Sequence, residues 1–150
     1  MTPIQPFHLA FPVQNLEEAR SFYSGVLGCT TGRESNEWID FNFYGHQIVA
    51  HLAPSPDTTC VNRVDGQDVP VRHFGVILEW GDWENLARKL QNAPCRFLVK
   101  PSIRFQGKTG EQATMFLTDP SGNAIEFKAF RHPEELFARD RTEGSFLFST

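Results

Sequence analysis

Four residues whose side chains bind metals or protons lie within apolar, strand-like runs of this sequence: His8, His51, His73 and Glu126. Burying imidazole and carboxylate groups among apolar residues costs free energy unless each group is paired or coordinated. A divalent metal ion would remove that cost, because imidazole nitrogen and carboxylate oxygen are both good ligands. These residue types therefore indicate a metal centre, provided that the fold brings their strands together.

The alternation of side chains along a strand predicts which way two of these residues point. Strand residues an even number of positions apart share a face. His51 lies six positions after Gly45, and Glu126 lies four positions after Gly122, where each glycine marks the turn before a strand. Both side chains should therefore project from the same face of equivalent strands.

An internal repeat would supply the equivalent strands. The runs FHLAFPV at 7–13 and RHFGVIL at 72–78 each carry a histidine at the second position, 65 positions apart. A predicted amphipathic helix follows each run, capped by Asn15 in the first half and by Asp82 in the second. Such a repeat sets the architecture of the whole chain.

Three strand-like stretches follow each predicted helix, separated by turn residues. They lie at 30–33, 38–43 and 46–52 in the first half and at 96–100, 113–118 and 123–130 in the second. The chain is therefore predicted to run βαβββ, linker, βαβββ. A short helix is predicted at 132–138, after the last strand.

Composition predicts the class of protein. The 150 residues, 40% of them hydrophobic, predict one domain with modules at about 6–53 and 71–130, a linker at about 54–70 and a C-terminal extension at 131–150. A formal charge of -4 without a basic cluster predicts no nucleic-acid partner. Three scattered cysteines and the lack of a long apolar run indicate a cytoplasmic protein with reduced thiols and no membrane partner.

Two stretches resemble a known family. They are the strand with His8 followed by NLEEARSFY at 15–23 and VLG at 26–28, and the closing TDPSGNAIE at 118–126. Over roughly residues 6–130 the chain resembles the vicinal oxygen chelate superfamily, which includes glyoxalases, extradiol dioxygenases, fosfomycin resistance enzymes and bleomycin-binding proteins. The resemblance implies an α+β fold, in which two pseudo-symmetric βαβββ modules form a curved, incomplete barrel around a metal site.

The resemblance also implies a ligand set. The matching metal ligands are His8, His73 and Glu126, a facial triad that leaves up to three coordination positions open. His51 has three interpretations: a fourth ligand, an acid/base group beside the metal, which we take as its catalytic role, or an ordinary strand histidine. Iron(II) is the expected metal, with nickel, cobalt, zinc and manganese as alternatives.

Aromatic and basic residues near the predicted site are candidates for substrate binding. Arg104 lies in a predicted loop at 102–111 that could close over a site, although such a loop can also be a solvated surface. The aromatic residues lie on strands flanking the metal and could instead fill the core. The candidates are Trp38, Phe41, Phe43, Arg104 and Phe116.

The leading hypothesis for the reaction is an iron(II)-dependent dioxygenase of the extradiol type. Ring-cleaving members of the superfamily usually carry a tyrosine about ten residues before the carboxylate ligand, whereas position 116 here is phenylalanine. The alternatives are a glyoxalase-like lyase or isomerase and a metal-free protein that sequesters an aromatic antibiotic. We expect a small-molecule substrate, for which an aromatic compound is one candidate, and a homodimer, with the ligands in one chain or shared between two.

Overall fold

The first half of the chain folds into a four-stranded sheet with one helical segment. The computed structural model describes residues 3–54, 61–64 and 66–139. The elements of the first half are β1 (His8–Val13), α1 (Leu16–Arg20), β2 (Thr30–Glu34), β3 (Trp38–Phe43) and β4 (His46–Leu52). The strands follow the order β1-β4-β3-β2, in which β1 is parallel to β4 and the other neighbours are antiparallel.

A hairpin occupies much of the described part of the predicted linker. Its strands are β5 (Val61–Val64) and β6 (Gln67–Pro70), which pair antiparallel. Val69 is buried and packs with Val99 and Phe116 of the second half. The sequence analysis placed a linker at about 54–70 and did not predict the hairpin within it, because the hairpin is held by tertiary packing that its turn-rich composition does not show.

The second half repeats the architecture of the first. Its elements are β7 (His73–Leu78), α2 (Trp80–Gln91), β8 (Arg96–Arg104), β9 (Gln112–Thr118) and β10 (Ala124–Phe130). The sheet has the order β7-β10-β9-β8, again with the first strand parallel to the last. The predicted α+β fold with two βαβββ modules is confirmed, and the two sheets remain open.

The two helices differ in how far the sequence predicted them. Asn15 caps α1 as predicted, since its Oδ1 accepts a 3.0 Å hydrogen bond from the Glu18 backbone N–H. The helix continues as π-helical turns from Ser21 to Val26. The second helix begins at Trp80, before the predicted cap at Asp82, and Trp80 stacks 3.5 Å from the guanidinium of Arg131. That long-range contact supports the additional turn.

The second half departs from prediction in its loop and in its C-terminal segment. β8 extends to Arg104, so the loop predicted at 102–111 is limited to 105–111. The helix predicted at 132–138 is a single 3₁₀ turn, Pro133–Glu135, and residues 140–150 lie outside the described part. None of the helices within the described ranges is long and apolar enough to cross a bilayer.

A shared hydrophobic core joins one face of each sheet. Phe43 of β3 lies 5.9 Å from Phe127 of β10 between ring centroids, and Tyr23 lies 5.1 Å from Phe41. All four rings belong to one buried cluster. Side chains alternate along a strand, so the strand residues next to these core residues project from the opposite face of each sheet. This opposite face is here called the outer face.

Candidate metal centre

His73 and Glu126 meet on the outer face of the second sheet. They lie on neighbouring parallel strands, where His73 pairs with Ala124 and Glu126 pairs with Gly75. The Nε2 atom of His73 is 3.3 Å from Oε2 of Glu126. Two of the three predicted ligands are therefore brought together, although they are far apart in the sequence.

The hydrogen bond at the other ring nitrogen orients His73. Its Nδ1 lies 2.9 Å from the carbonyl oxygen of Pro70, which can only accept. Nδ1 therefore carries the hydrogen in the neutral ring, and the lone pair of Nε2 points towards Glu126. A backbone carbonyl at this position is a common way to fix a metal-binding histidine.

The donor pair fits a divalent metal ion. Two ligands about 2.1 Å from one ion and at right angles to each other are about 3.0 Å apart. The observed 3.3 Å between Nε2 of His73 and Oε2 of Glu126 is close to this separation. An imidazole nitrogen with a carboxylate oxygen is a donor set suited to iron, zinc, nickel and cobalt.

Two further side chains hold the Glu126 carboxylate, which is 9% exposed. Thr114 donates a 2.8 Å hydrogen bond from Oγ1 to Oε1, and Nζ of Lys128 lies 3.6 Å from the same oxygen. Oε1 is thus engaged by the protein, while Oε2 faces His73. This division leaves one carboxylate oxygen oriented for a ligand role.

Gly75 allows the two strands to approach closely. A Cβ atom at this position would lie 1.6 Å from the carbonyl oxygen of Glu126, far inside van der Waals contact. A larger residue at 75 would push β7 away from β10. The absence of a side chain here therefore helps to place His73 beside Glu126.

The surroundings of this pair are apolar on one side and polar on the other. The ring of Phe116 lies 5.2 Å from that of His73 in an edge-on arrangement, and Phe116 packs with Val99. A depression of about 180 Å³ runs past His73 and Glu126 to Lys128. Phe116 is 2% exposed and supports the His73 ring from the buried side, so its role in binding a substrate stays a prediction.

His8 lies on the outer face of the first sheet, away from this pair. Its Nδ1 is 2.8 Å from Oε1 of Gln47 on β4, and its side chain is exposed. Within the described ranges, no three His, Cys, Asp or Glu side chains lie close enough together to hold a metal ion. The two sheets share a core through their other faces, so the convergence of His8 with His73 and Glu126 is not found within one chain.

His51 shares the outer face of the first sheet with His8. Its position after Gly45 predicts that it projects from the same face of its strand as Glu126 does from the equivalent strand. Glu126 also lies on an outer face, that of the second sheet.

His51 lies opposite Trp38 on β3 and Pro12 on β1, whereas His8 lies opposite Gln47. Four residues along a strand correspond to roughly 13 Å. His51 is therefore well separated from His8 along the sheet.

The other aromatic and basic candidates divide between the two faces. Phe41 and Phe43 are 1% and 2% exposed and lie in the shared core, so their predicted place in the substrate pocket is wrong. Their phase on β3 points them inwards, which the sequence pattern left open. Trp38 lies on the outer face with the guanidinium of Arg33 at 5.7 Å, and Arg104 ends β8 beside the ring of Phe105.

Comparison with known proteins assigns the chain to a family. Residues 5–127 match the family model described as the Glyoxalase/Bleomycin resistance protein/Dioxygenase superfamily. The chain belongs to this superfamily. Its open pair of βαβββ modules is the vicinal oxygen chelate fold of that superfamily.

Individual superfamily members show different degrees of similarity. A catechol-2,3-dioxygenase of Bacillus subtilis (strain 168) is 26% identical over 141 residues, which are 92% of this chain and 45% of that protein. The chain thus spans about half the length of this curated relative.

Two solved structures of the superfamily resemble the chain over most of its length. A glyoxalase/bleomycin resistance protein/dioxygenase from Alicyclobacillus acidocaldarius is 34% identical with a TM-score of 0.74, covering 90% of this chain and 98% of the other. The fosfomycin resistance protein FosX from Listeria monocytogenes shares the fold at 13% identity and a TM-score of 0.66, with the same coverage of both chains.

The stretch that most resembles the superfamily, at 118–126, has a structural role in addition to carrying Glu126. Nδ2 of Asn123 donates a 2.8 Å hydrogen bond to the carbonyl oxygen of Pro12, and Oγ of Ser121 accepts one from the Gln14 backbone N–H at 2.9 Å. The turn thus ties the second module to the end of β1. The motif that contains the predicted ligand Glu126 therefore also connects the two modules by hydrogen bonds.

The sequence analysis did not predict several residues that contact the three predicted ligands. Lys128 lies two positions after Glu126 and could have been found from strand alternation. Thr114 and Gln47 carry no comparable signal, because their contacts depend on the pairing register of neighbouring strands. Pro70 contributes only a backbone oxygen, which no side-chain pattern reveals.

Proposed function

We propose that the chain is a metal-dependent enzyme that binds its substrate through two vicinal oxygens, with an iron(II)-dependent dioxygenase as the leading reaction. The observation that carries the proposal is the pair formed by His73 and Glu126. Their 3.3 Å separation and the hydrogen bond from His73 to Pro70 are suited to a shared divalent ion. The similarity to a catechol-2,3-dioxygenase supports the oxygenase reaction.

We propose further that His8 of the partner subunit completes the ligand set in a homodimer. Each chain offers His73 and Glu126 on one outer face and an exposed His8 on another. In a two-fold dimer the same contact occurs twice. The face with His73 and Glu126 on each chain would therefore contact the face with His8 on the partner subunit. This arrangement would make two identical sites.

When bound, a divalent ion supplies positive charge to two adjacent substrate oxygens, and iron(II) in addition exchanges electrons with dioxygen. The chain's own residues bind and orient the substrate. Phe116 and Val99 are buried under Val69 of the hairpin and form an apolar backing for the His73 ring, which excludes water from that side of the site. The ammonium group of Lys128 attracts an anionic group near Glu126.

His51 is the group that we propose for proton transfer. It is exposed on the outer face that carries His8, roughly 13 Å further along the sheet, so in a shared site it would face the part of the substrate that extends away from the metal, from the partner subunit. A neutral imidazole there would accept a proton from a substrate hydroxyl and return it later in the reaction. Trp38, directly opposite His51 on β3, would contact the substrate beside it.

A glyoxalase-like lyase or isomerase is the second candidate, favoured by the residue at position 116. Phe116 lies beside His73 without a hydroxyl to donate. Tyr23 lies in the shared core and Tyr44 packs against Phe43 and Phe127, so neither tyrosine reaches His73. A reaction that needs only Lewis-acid chemistry at nickel, cobalt or zinc would not require a tyrosine.

The test of the metal site combines elemental analysis with oxygen uptake. Protein purified anaerobically is expected to bind iron and to consume oxygen when a catechol or hydroxylated acid is added. His73→Ala and Glu126→Gln should lose the metal while remaining folded, whereas His132→Ala, an exposed histidine outside the site, should keep it. Bound nickel or zinc without oxygen uptake would favour the lyase or isomerase, and failure to bind any divalent metal would overturn both.

Mixed dimers test the shared site. A dimer of one His8→Ala chain and one His73→Ala chain would have one site lacking both residues and one intact site. Metal binding should therefore return to about half of the wild-type stoichiometry in the heterodimer, although each homodimer binds poorly. If the mixture binds no more metal than the two variants alone, His8 is not supplied by the partner subunit.

A further inference from the structure

Two consecutive hydrogen bonds link side chains across the first sheet and end at His8. On β3, Oδ2 of Asp40 accepts a 3.1 Å hydrogen bond from Nε2 of Gln47 on β4. The other end of the Gln47 amide, Oε1, lies 2.8 Å from Nδ1 of His8 on β1. The three side chains therefore connect three adjacent strands on one face.

These two hydrogen bonds determine which nitrogen of His8 carries the hydrogen. A carboxylate can only accept, so the amino group of Gln47 must face Asp40. The amide oxygen then faces His8, and an oxygen there requires a donor. Nδ1 of His8 is therefore the protonated nitrogen of the neutral ring, and Nε2 retains its lone pair.

The position of Asp40 depends on the absence of a side chain on the neighbouring strand. A Cβ atom at Gly32 of β2 would lie 3.2 Å from Cβ of Asp40, closer than ordinary contact. Gly32 thus leaves room for the carboxylate to lie over β3 and reach Gln47. The arrangement uses all four strands of the sheet.

The two predicted histidine ligands are oriented by different groups. Nδ1 of His73 faces the backbone carbonyl of Pro70, whereas Nδ1 of His8 faces the side-chain amide of Gln47. In both rings the lone pair of Nε2 is consequently the one that can bind a metal ion. Such outer hydrogen bonds fix ring orientation and raise the basicity of a ligand.

We propose that Gln47 and Asp40 are positioning residues, which hold the imidazole of His8 as the Nδ1-protonated tautomer with Nε2 directed outwards as a metal ligand. This inference rests on the proposed function, in which His8 binds the metal of the partner subunit's site. Gln47 acts directly on His8, and Asp40 acts through Gln47. Neither residue contacts the metal.

Cobalt(II) affinity of the full-length, metal-stripped protein measures the effect. Gln47→Leu removes the acceptor for His8 and is expected to weaken cobalt binding about 10- to 100-fold, the usual range for an outer hydrogen-bond partner. Asp40→Leu should weaken it similarly, whereas Asp40→Asn keeps an oxygen acceptor for Gln47 and should restore most of the affinity. Gln91→Leu, at an exposed site on α2, is the matched control and should have no effect.

The tautomer of His8 provides a readout that a general loss of stability would not change. Long-range proton–nitrogen NMR of the metal-free protein should show Nδ1 of His8 protonated in the wild type and in Asp40→Asn. In Gln47→Leu the signal should move towards the Nε2-protonated form. Circular dichroism of each variant checks that the fold is retained.

The His8→Ala variant separates this inference from the proposed function. If His8→Ala weakens cobalt binding but Gln47→Leu changes neither affinity nor tautomer, the positioning role is overturned and the shared metal site stands. If His8→Ala leaves cobalt affinity unchanged, both are overturned. Weaker binding in His8→Ala and Gln47→Leu, with a changed tautomer in the latter, supports both.

Discussion

The hydroxyl of Tyr23 donates a 2.7 Å hydrogen bond to Oδ2 of Asp119, and this buried contact joins the first module to the second. Asp119 also accepts hydrogen bonds from the backbone N–H groups of Ser121 and Asn123 through its Oδ1. Burial raises the pKa of Asp119, while the hydrogen bonds from Asn123 and Tyr23 oppose that rise. The carboxylate therefore organises the turn before β10, the strand that carries Glu126.

Removing the Tyr23 hydroxyl should destabilise the fold. Tyr23→Phe leaves a buried carboxylate oxygen with one partner fewer, which is expected to lower the free energy of unfolding by about 1–3 kcal/mol. Urea denaturation followed by circular dichroism measures this change. Tyr44→Phe is the matched control, since the Tyr44 side chain is 42% exposed, and it should lose less than half as much. Equal losses in the two variants would contradict a special role for the contact with Asp119.

The two tyrosines should resist ionisation in alkali. Burial raises the pKa of Tyr44 to about 12 and that of Tyr23 well above its ordinary value of 10.0. A raised pKa in the folded state contributes stability that is complete below pH 10 and is lost as the pH rises through the folded value. Tyrosinate absorbance should therefore stay low at pH 10 to 11 and then rise together with the loss of circular dichroism. Half-ionisation near pH 10 in folded protein would contradict this prediction.

The close approach of β7 and β10 predicts a large effect of an added methyl group. In Gly75→Ala the new Cβ would collide with the carbonyl of Glu126, so the strands must separate. We expect the free energy of unfolding to fall by about 1–3 kcal/mol or more, as for other overpacked sites, and metal binding to weaken. Thermal denaturation and cobalt titration measure the two effects.

Gly81→Ala is the control for that substitution. Gly81 lies in α2 with no heavy atom within 4 Å of an added Cβ. Alanine in a helix is favoured over glycine by about 0.5–1 kcal/mol, so this variant should be neutral or slightly more stable. Similar behaviour of the two alanine variants would show that the contact at Gly75 is easily relieved.

Phe41 and Trp38 lie on the same strand and should respond differently to truncation. Phe41→Ala leaves a cavity in the shared core and is expected to cost about 3–5 kcal/mol of stability. Trp38 lies on the outer face, so Trp38→Ala should cost clearly less and instead raise the KM for the substrate of the proposed enzyme. Denaturation and steady-state kinetics separate the two effects, and a larger stability loss in Trp38→Ala would mean that the faces of β3 are misassigned.

Local patterns in the sequence determined much of the fold. The repeated histidine-containing strand, the cap at Asn15 and the bounds of β3 and β4 follow from neighbouring residues, because capping and strand alternation act within a few positions. The same alternation predicted that His51 and Glu126 project from the same face of equivalent strands, and both lie on the outer faces of their sheets. The hairpin of β5 and β6 escaped this reasoning, since it depends on the packing of Val69 against another module.

Only the tertiary structure decided which of these residues meet. Parallel pairing of β7 with β10 brings His73 to Glu126, whereas His8 lies on the other sheet beside Gln47. The phase of β3 likewise turned Phe41 into the core. Sequence alternation predicts that two faces exist, but which face is buried and which strands pair depend on contacts between distant segments. The sequence by itself therefore determined the elements and the candidate ligands, and long-range packing decided how they are combined.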